Sequence, residues 1–303
     1  MRKFLCNILI FGLLFLGITI PIDYAYSKLA TRSHYVSIEA WYDLMNGNID
    51  ADVVAVGSSR SWVHINPVIL DSILHVNTYN LGMDGSPVNR QVHKYHLFRK
   101  YNRKPKLIIQ NIDVWSLNYR IGYQEEQFLP YFWNHSVRNE FFQTEPFSFW
   151  EKYIPLYRYL HYSSDIFLNK GPLNLTKGYE GKEYPWDGSS YMNVESIPFI
   201  VSDTSAVLFD EFLSQAKAEN IKVVFVYAPL YIGATNKISN LEEMRAKYQE
   251  FADKYDIPIL DYTYMNICYD TNYFYNAMHL NKYGSEIFSD SLAHDILKLH
   301  ILN

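Results

Sequence analysis

Residues 52 to 60 read Asp52-Val-Val-Ala-Val-Gly57-Ser58-Ser59-Arg60, a short apolar run followed by small and polar residues. The apolar run from Val53 to Val56 is too short for a helix, rich in β-branched residues and free of polar alternation. A run of this kind is typical of a strand that is buried on both faces of a parallel sheet. The glycine and the two serines that follow predict a turn at the carboxyl end of that strand.

The same pattern recurs along the chain as an alternation of short apolar runs and longer amphipathic segments. Further strands are predicted at 76–81, 107–110, 221–227 and 257–260, and helices at 67–74, 88–101, 206–219, 241–255 and 284–299. Repeated strand–helix units predict an α/β fold, a three-layer α/β/α sandwich around a mostly parallel sheet. In such sheets the reactive groups collect in loops beyond the carboxyl ends of the strands.

The N-terminus predicts a membrane segment. Arg2 and Lys3 precede an almost uninterrupted apolar run from Phe4 to Ile22, near the lower length limit for a spanning helix. The two basic residues predict that this end stays in the cytoplasm and that the rest is exported, to the periplasmic or extracellular face. The favoured reading is an uncleaved signal anchor at residues 1–27. The alternative is a signal peptide cleaved near Ala25-Tyr26-Ser27, which would release a secreted domain.

Residues 28–303 are predicted to form one α/β domain carrying an insertion at about 116–201. The insertion is rich in aromatic residues and is expected to be largely helical, to cover the functional edge of the sheet and to lack a core of its own. The formal net charge of −5 comes without a basic cluster, which argues against a nucleic-acid partner. Two cysteines far apart in the chain do not make a disulfide framework.

Small and polar residues stand at the ends of the first three predicted strands and before the last helix. They are Gly57-Ser58-Ser59-Arg60, Asn80-Leu81-Gly82-Met83-Asp84-Gly85, Gln110-Asn111-Ile112-Asp113 and Asn276-Ala277-Met278-His279-Leu280-Asn281. The carboxyl ends of parallel strands share one edge of a sheet, so these groups are expected to meet. A serine, a histidine and backbone N–H donors in one crevice point to nucleophilic acyl transfer.

Taken in this order, the residues resemble the SGNH (GDSL-like) hydrolase family. The resemblance implies Ser59 as nucleophile, His279 as general base, and an oxyanion hole of the Ser59 N–H, the Gly82 N–H and the Asn111 side-chain amide. Exported relatives of this family modify envelope polysaccharides, often beside a membrane O-acyltransferase. The resemblance therefore implies a serine esterase or O-acyltransferase that acts on glycan O-acetyl esters and needs neither a metal nor an organic cofactor.

One position departs from the family pattern. The family usually has Asp three residues before the histidine, where this chain has Asn276. Three outcomes are open: a Ser59–His279 dyad in which a backbone carbonyl orients the imidazole, a substitute carboxylate from Asp270, or a catalytically inactive protein that binds glycan or a membrane partner. Arg60 could bind an anionic sugar or form a salt bridge.

Overall fold

The structure is a computed structural model that describes residues 1–118, 125–144, 146–171, 175–188 and 195–302. The parts of the predicted insertion numbered 119–124, 145, 172–174 and 189–194 lie outside the described residues. The helices are α1 (Arg2–Ala30), α2 (Val36–Met45), α3 (Ser59–His64), α4 (Pro67–Leu74), α5 (Val88–Tyr101), α6 (His135–Val137), α7 (Phe149–Tyr153), α8 (Ser164–Leu168), α9 (Asp203–Ala218), α10 (Ile232–Thr235), α11 (Leu241–Tyr255) and α12 (Lys282–Lys298). The strands are β1 (Val53–Val56), β2 (Thr78–Asn80), β3 (Leu107–Asn111), β4 (Lys222–Tyr227), β5 (Ile259–Asp261), β6 (Phe274–Asn276) and β7 (His279–Leu280).

The chain divides into two compact units. The first comprises Met1–Tyr42 and Gln124–Leu173, and the second comprises Asp43–Tyr123 and Asn174–Asn303. The second unit contains the five-stranded sheet, in the order β2-β1-β3-β4-β5, with every neighbouring pair parallel. Strands β6 and β7 form a separate antiparallel pair that precedes α12.

Each face of the sheet is covered by helices, as the alternation predicts. On β4, Val224 and Val226 point into a core that includes Leu70 of α4 and Leu292 of α12. Phe225 points the opposite way and stacks on Phe209 of α9 with ring centroids 5.7 Å apart. The predicted three-layer α/β/α class is therefore confirmed.

The first unit has an aromatic core of its own. Trp41 packs edge-on against Phe141, with centroids 5.3 Å apart, and Phe128 lies 4.5 Å from Phe141. All three side chains are buried. The described part of the predicted insertion from 125 to 171 thus groups with the N-terminal residues around a shared core, whereas the described residues 175–188 and 195–201 group with the sheet. This corrects the expectation of one coreless insertion at 116–201.

Helix α1 is long and apolar enough to cross a membrane, and among the described residues it alone meets that criterion. Its residues from Phe4 to Ile22 are almost all exposed on the protein, whereas Asp23, Ser27 and Ala30 are buried. The predicted apolar segment is therefore a helix, and its last turns belong to the first unit.

Candidate active site

Ser59 is positioned by a tight turn between β1 and α3. A side chain at Gly57 would place its Cβ 2.7 Å from the Cβ of Asn111 and 2.8 Å from that of Ser61, so the turn leaves room for glycine alone. Ser59 is the first residue of α3, where a backbone N–H has no partner within the helix. The serine is thus held at the carboxyl edge of the sheet, as the strand-end pattern predicts.

His279 meets Ser59 from the other end of the chain. Its Nε2 lies 2.7 Å from the Ser59 Oγ, and its Nδ1 lies 3.0 Å from the Asn276 Oδ1. The same Asn276 oxygen accepts the Met278 backbone N–H at 2.9 Å, which requires an oxygen and not an amide nitrogen at that position. Nδ1 of His279 must therefore carry the proton, and Nε2 is left free to accept one from Ser59.

Asp270 does not reach the imidazole. Its carboxylate accepts the Asn272 backbone N–H at 2.9 Å and begins a short 3₁₀ turn. The Nδ1 atom of His279, which faces away from Ser59, is already bonded to Asn276. Neither of the two expected groups orients the ring: the side-chain oxygen of Asn276 stands where a backbone carbonyl or Asp270 was expected.

His279 is neutral around pH 7. Burial, followed by the positive charges of Arg60 and Lys182, lowers the pKa of His279 from its usual 6.5 to about 3. An unprotonated imidazole is the form that can accept a proton from a serine hydroxyl. The same surroundings oppose the imidazolium that would form, because no carboxylate stands at Asn276 to offset its charge.

A cavity of about 230 Å³ opens beside the pair. It is lined by Ser58, Ser59, Arg60, Gly85, Ser86, Pro87, Asp113, Trp115, Met278 and His279. Within the described part of the chain, the backbone N–H groups of Ser59 and Gly85 donate to no other protein group. Gly85 has a positive φ of 60°, which favours glycine. Both residues line the cavity, so their N–H groups are candidate donors to a developing oxyanion.

The Gly82 N–H and the Asn111 side-chain amide already donate to protein oxygens, which corrects the expected oxyanion hole. The Gly82 N–H donates to the Asn80 Oδ1 at 2.8 Å, and the Asn111 amide donates to the Val226 carbonyl at 3.2 Å. Neither residue lines the cavity. Asn111 is the last residue of β3, and its side-chain amide is bonded to the neighbouring strand β4. A Cβ on Gly82 would lie 2.3 Å from the Trp62 nitrogen, so this glycine permits close packing against α3.

Arg60 is tied into an ionic network. Its guanidinium lies 3.1 Å from the Asp113 Oδ2, and both side chains are buried. The same carboxylate oxygen accepts the Ser58 hydroxyl at 2.6 Å. Its other oxygen accepts the backbone N–H groups of Trp115 and Ser116 at 2.8 and 3.0 Å. Asp113 therefore joins the turn at Ser59 to the loop after β3, and of the two predicted roles for Arg60 the salt bridge is present.

Two neighbours of His279 carry no clear signal in the sequence. Tyr275 stacks on the imidazole, with ring planes 9° apart and centroids 5.4 Å apart. His64 is fully buried, and its Nε2 accepts the Leu280 N–H at 3.0 Å, which fixes the strand that carries His279. Burial, then the proximity of His279 and Arg60, lowers the pKa of His64 well below its usual value, so it stays a neutral acceptor.

Comparison with known proteins gives similarity to solved structures only. No protein-family model and no curated protein matches the sequence. A candidate lipolytic protein of the G-D-S-L family from Desulfitobacterium hafniense is 12% identical, with a TM-score of 0.44 over 80% of this chain and 97% of that one. A family two carbohydrate esterase from Clostridium thermocellum, solved with cellohexaose, is 8% identical, with a TM-score of 0.44 over 84% and 66%. A GDSL-like lipase from Bacteroides thetaiotaomicron is 12% identical, with a TM-score of 0.39 over 90% and 99%.

The structural neighbours of this chain are thus GDSL-type lipolytic proteins and acylhydrolases, together with a carbohydrate esterase.

Proposed function

We propose that the protein is a serine esterase or O-acyltransferase that works through an acyl-Ser59 intermediate. The observation that carries the proposal is the contact of 2.7 Å between His279 Nε2 and Ser59 Oγ, with Nδ1 held by Asn276. In the first step the Ser59 oxygen attacks the ester carbonyl carbon while its proton passes to Nε2. The carbon–oxygen bond to the alcohol then breaks, and the alcohol oxygen takes that proton.

The second step releases the acyl group. A water molecule or a sugar hydroxyl attacks the acyl carbonyl and gives its proton to Nε2, and Ser59 recovers a proton from Nε2 as it leaves. Water gives hydrolysis and a hydroxyl gives transfer. In both steps the backbone N–H groups of Ser59 and Gly85 would receive the oxyanion.

Asn276 suits this mechanism in one respect only. It presents an oxygen that holds the productive imidazole tautomer, but it brings no negative charge to stabilise the imidazolium. We therefore expect an active Ser59–His279 dyad that is slower than a triad with a carboxylate.

The cavity favours a small, uncharged acyl group. Pro87, Trp115 and Met278 supply apolar walls, and the charge of Arg60 is balanced by Asp113. An acetyl ester fits this environment. Because the apolar α1 would hold the chain at a membrane, with Arg2 and Lys3 on the cytoplasmic side, we propose that the ester belongs to an envelope or exported polysaccharide. A membrane O-acyltransferase is the partner we propose for this reaction.

A serine-directed fluorophosphonate probe tests the proposal. We expect the full chain to be labelled on Ser59, with labelling lost in Ser59→Ala and reduced in His279→Ala. Ser58→Ala is the matched control, because the adjacent hydroxyl bonds to Asp113 and has no imidazole, and it should retain labelling. A folded wild-type chain that does not react, or that labels equally in Ser59→Ala, contradicts the enzyme and favours the alternative of an inactive glycan-binding protein.

A further inference from the structure

The C-terminal turns of α1 are built into the first unit. Asp23, Ser27 and Ala30 follow one another at helical spacing and are all buried, whereas the apolar residues before them are almost all exposed. One face of the helix therefore packs as part of the fold just where the apolar segment ends.

A buried ion pair secures this packing. The Arg158 guanidinium lies 2.6 Å from the Asp23 Oδ1, and each side chain is only 1% exposed. Arg158 also donates to the Ser27 Oγ at 2.9 Å, and it lies 4.1 Å from the centre of the Phe132 ring. Cleavage near Ala25 or Ser27 would remove the carboxylate and leave a buried cation without its counter-charge, which a folded protein does not tolerate well.

A set of exposed aromatic side chains lies close to this point. Trp133 makes an edge-on contact with Tyr24, with centroids 5.9 Å apart. On α7, Phe149, Trp150 and Tyr153 are 63%, 55% and 61% exposed. The Trp150 ring lies 6.4 Å from that of Tyr157, the residue before Arg158. We call these five side chains, Tyr24, Trp133, Phe149, Trp150 and Tyr153, the aromatic rim.

The length of α1 places the aromatic rim at the lipid interface of a bilayer that α1 spans. A helix from Phe4 to Ile22 rises about 1.5 Å per residue and is long enough for roughly the 30 Å of a hydrocarbon core. Asp23 and Tyr24 then lie at the interface, where tryptophan and tyrosine are enriched in membrane proteins. Lys28, on α1, and Lys152, on α7, have long side chains that suit an interfacial position, with apolar stems and charged ends.

We propose that α1 is retained in the mature protein and that the aromatic rim inserts into the lipid interface at the C-terminal end of α1. The first unit is thereby fixed to the membrane surface by a spanning helix and by an interfacial aromatic contact. This inference is independent of the chemistry proposed for Ser59.

Fluorophore accessibility tests the lipid contact. The full chain, with Cys6→Ala and Cys268→Ser to remove native thiols, is placed in nanodiscs of phosphatidylcholine and phosphatidylglycerol and labelled at Trp150→Cys. The control is Tyr283→Cys, an aromatic position on α12 that is 59% exposed. We expect the label at 150 to be quenched by doxyl lipids and to be several-fold less sensitive to aqueous iodide than the label at 283. Equal quenching by iodide at both positions overturns the lipid contact and leaves the aromatic rim to a protein partner.

The intact mass of the protein extracted from membranes tests retention of α1. We expect a species that still contains residues 1–30. A mature species that begins between residues 24 and 30 overturns retention, because it has lost Asp23.

Discussion

Replacing Asn276 with aspartate tests whether His279 works as the general base. The Asn276 oxygen already accepts hydrogen bonds from His279 Nδ1 and from the Met278 N–H, at 3.0 and 2.9 Å. A carboxylate oxygen accepts both bonds in the same geometry, so the substitution adds charge without changing the tautomer. Asn276 is partly exposed, which limits the cost of burying the new charge.

The size of the effect follows from the pKa of the imidazole. An opposite charge at this distance shifts a pKa by about 1 to 3 units, and each unit corresponds to about 1.4 kcal/mol. Stabilising the imidazolium by that amount in the transition state raises the rate by about 10- to 1000-fold. This is less than the roughly ten-thousand-fold effect of the reverse change in a serine protease, where the tautomer is lost as well as the charge.

The assay is the pH dependence of kcat/KM for p-nitrophenyl acetate with the full chain in detergent. Asn276→Asp should raise kcat/KM and move the acid limb upward in pH, because a raised His279 pKa protonates the base sooner on acidification. Asp270→Asn is the control from the same loop and should leave both unchanged, since Asp270 bonds to the Asn272 N–H instead. If folded Asn276→Asp shows neither a faster reaction nor a shifted limb, His279 is not acting as the base.

Three further outcomes are expected. In the wild type, kcat/KM should remain level as pH falls through 6.5, because burial together with Arg60 and Lys182 holds the His279 pKa below that value; a loss of activity centred near 6.5 would contradict this. Trp115→Ala should enlarge the cavity and shift the substrate preference towards longer acyl esters. In a series of esters of increasing acyl length, kcat/KM should rise about fourfold for each added methylene that is buried. An unchanged preference would show that Trp115 does not line the acyl site. Asp113→Asn should leave the buried Arg60 without its partner and lower the free energy of unfolding by about 3–5 kcal/mol, measured from denaturant midpoints. A change near zero would show that the ion pair does not stabilise the fold.

Local pattern accounts for the elements that carry the candidate site. The helices predicted at 67–74, 88–101 and 241–255 have the observed bounds, because each has a clear apolar period and a capping or breaking residue at an end. The choice of Ser59 and His279 rests on the resemblance to the SGNH hydrolase family, because a serine after a strand is by itself more typical of a helix N-cap than of a nucleophile.

The sequence pattern could not predict which residues of a loop line the cavity and which pack into the fold. Gly82 and Gly85 belong to one loop and look equivalent in sequence, but Gly82 is packed against Trp62, whereas Gly85 faces the cavity. Asn111 and Asp113 also belong to one segment, but only Asp113 lines the cavity. Strand β3 extends one residue further than predicted and includes Asn111, whose side-chain amide bonds to β4, whereas the Asp113 carboxylate accepts the Ser58 hydroxyl.

The α/β layers and the apolar N-terminal helix are predictable from the sequence alone, because they depend on periodicity, whereas the expected pairing of Ser59 with His279 rests on a family resemblance. Only the folded chain shows which loop residues line the cavity, that Asn276 rather than Asp270 bonds to His279, and that Asp23 pairs with Arg158. These features depend on the directions of individual bonds, or on contacts between residues distant in the chain. Neither leaves a periodic trace in the sequence.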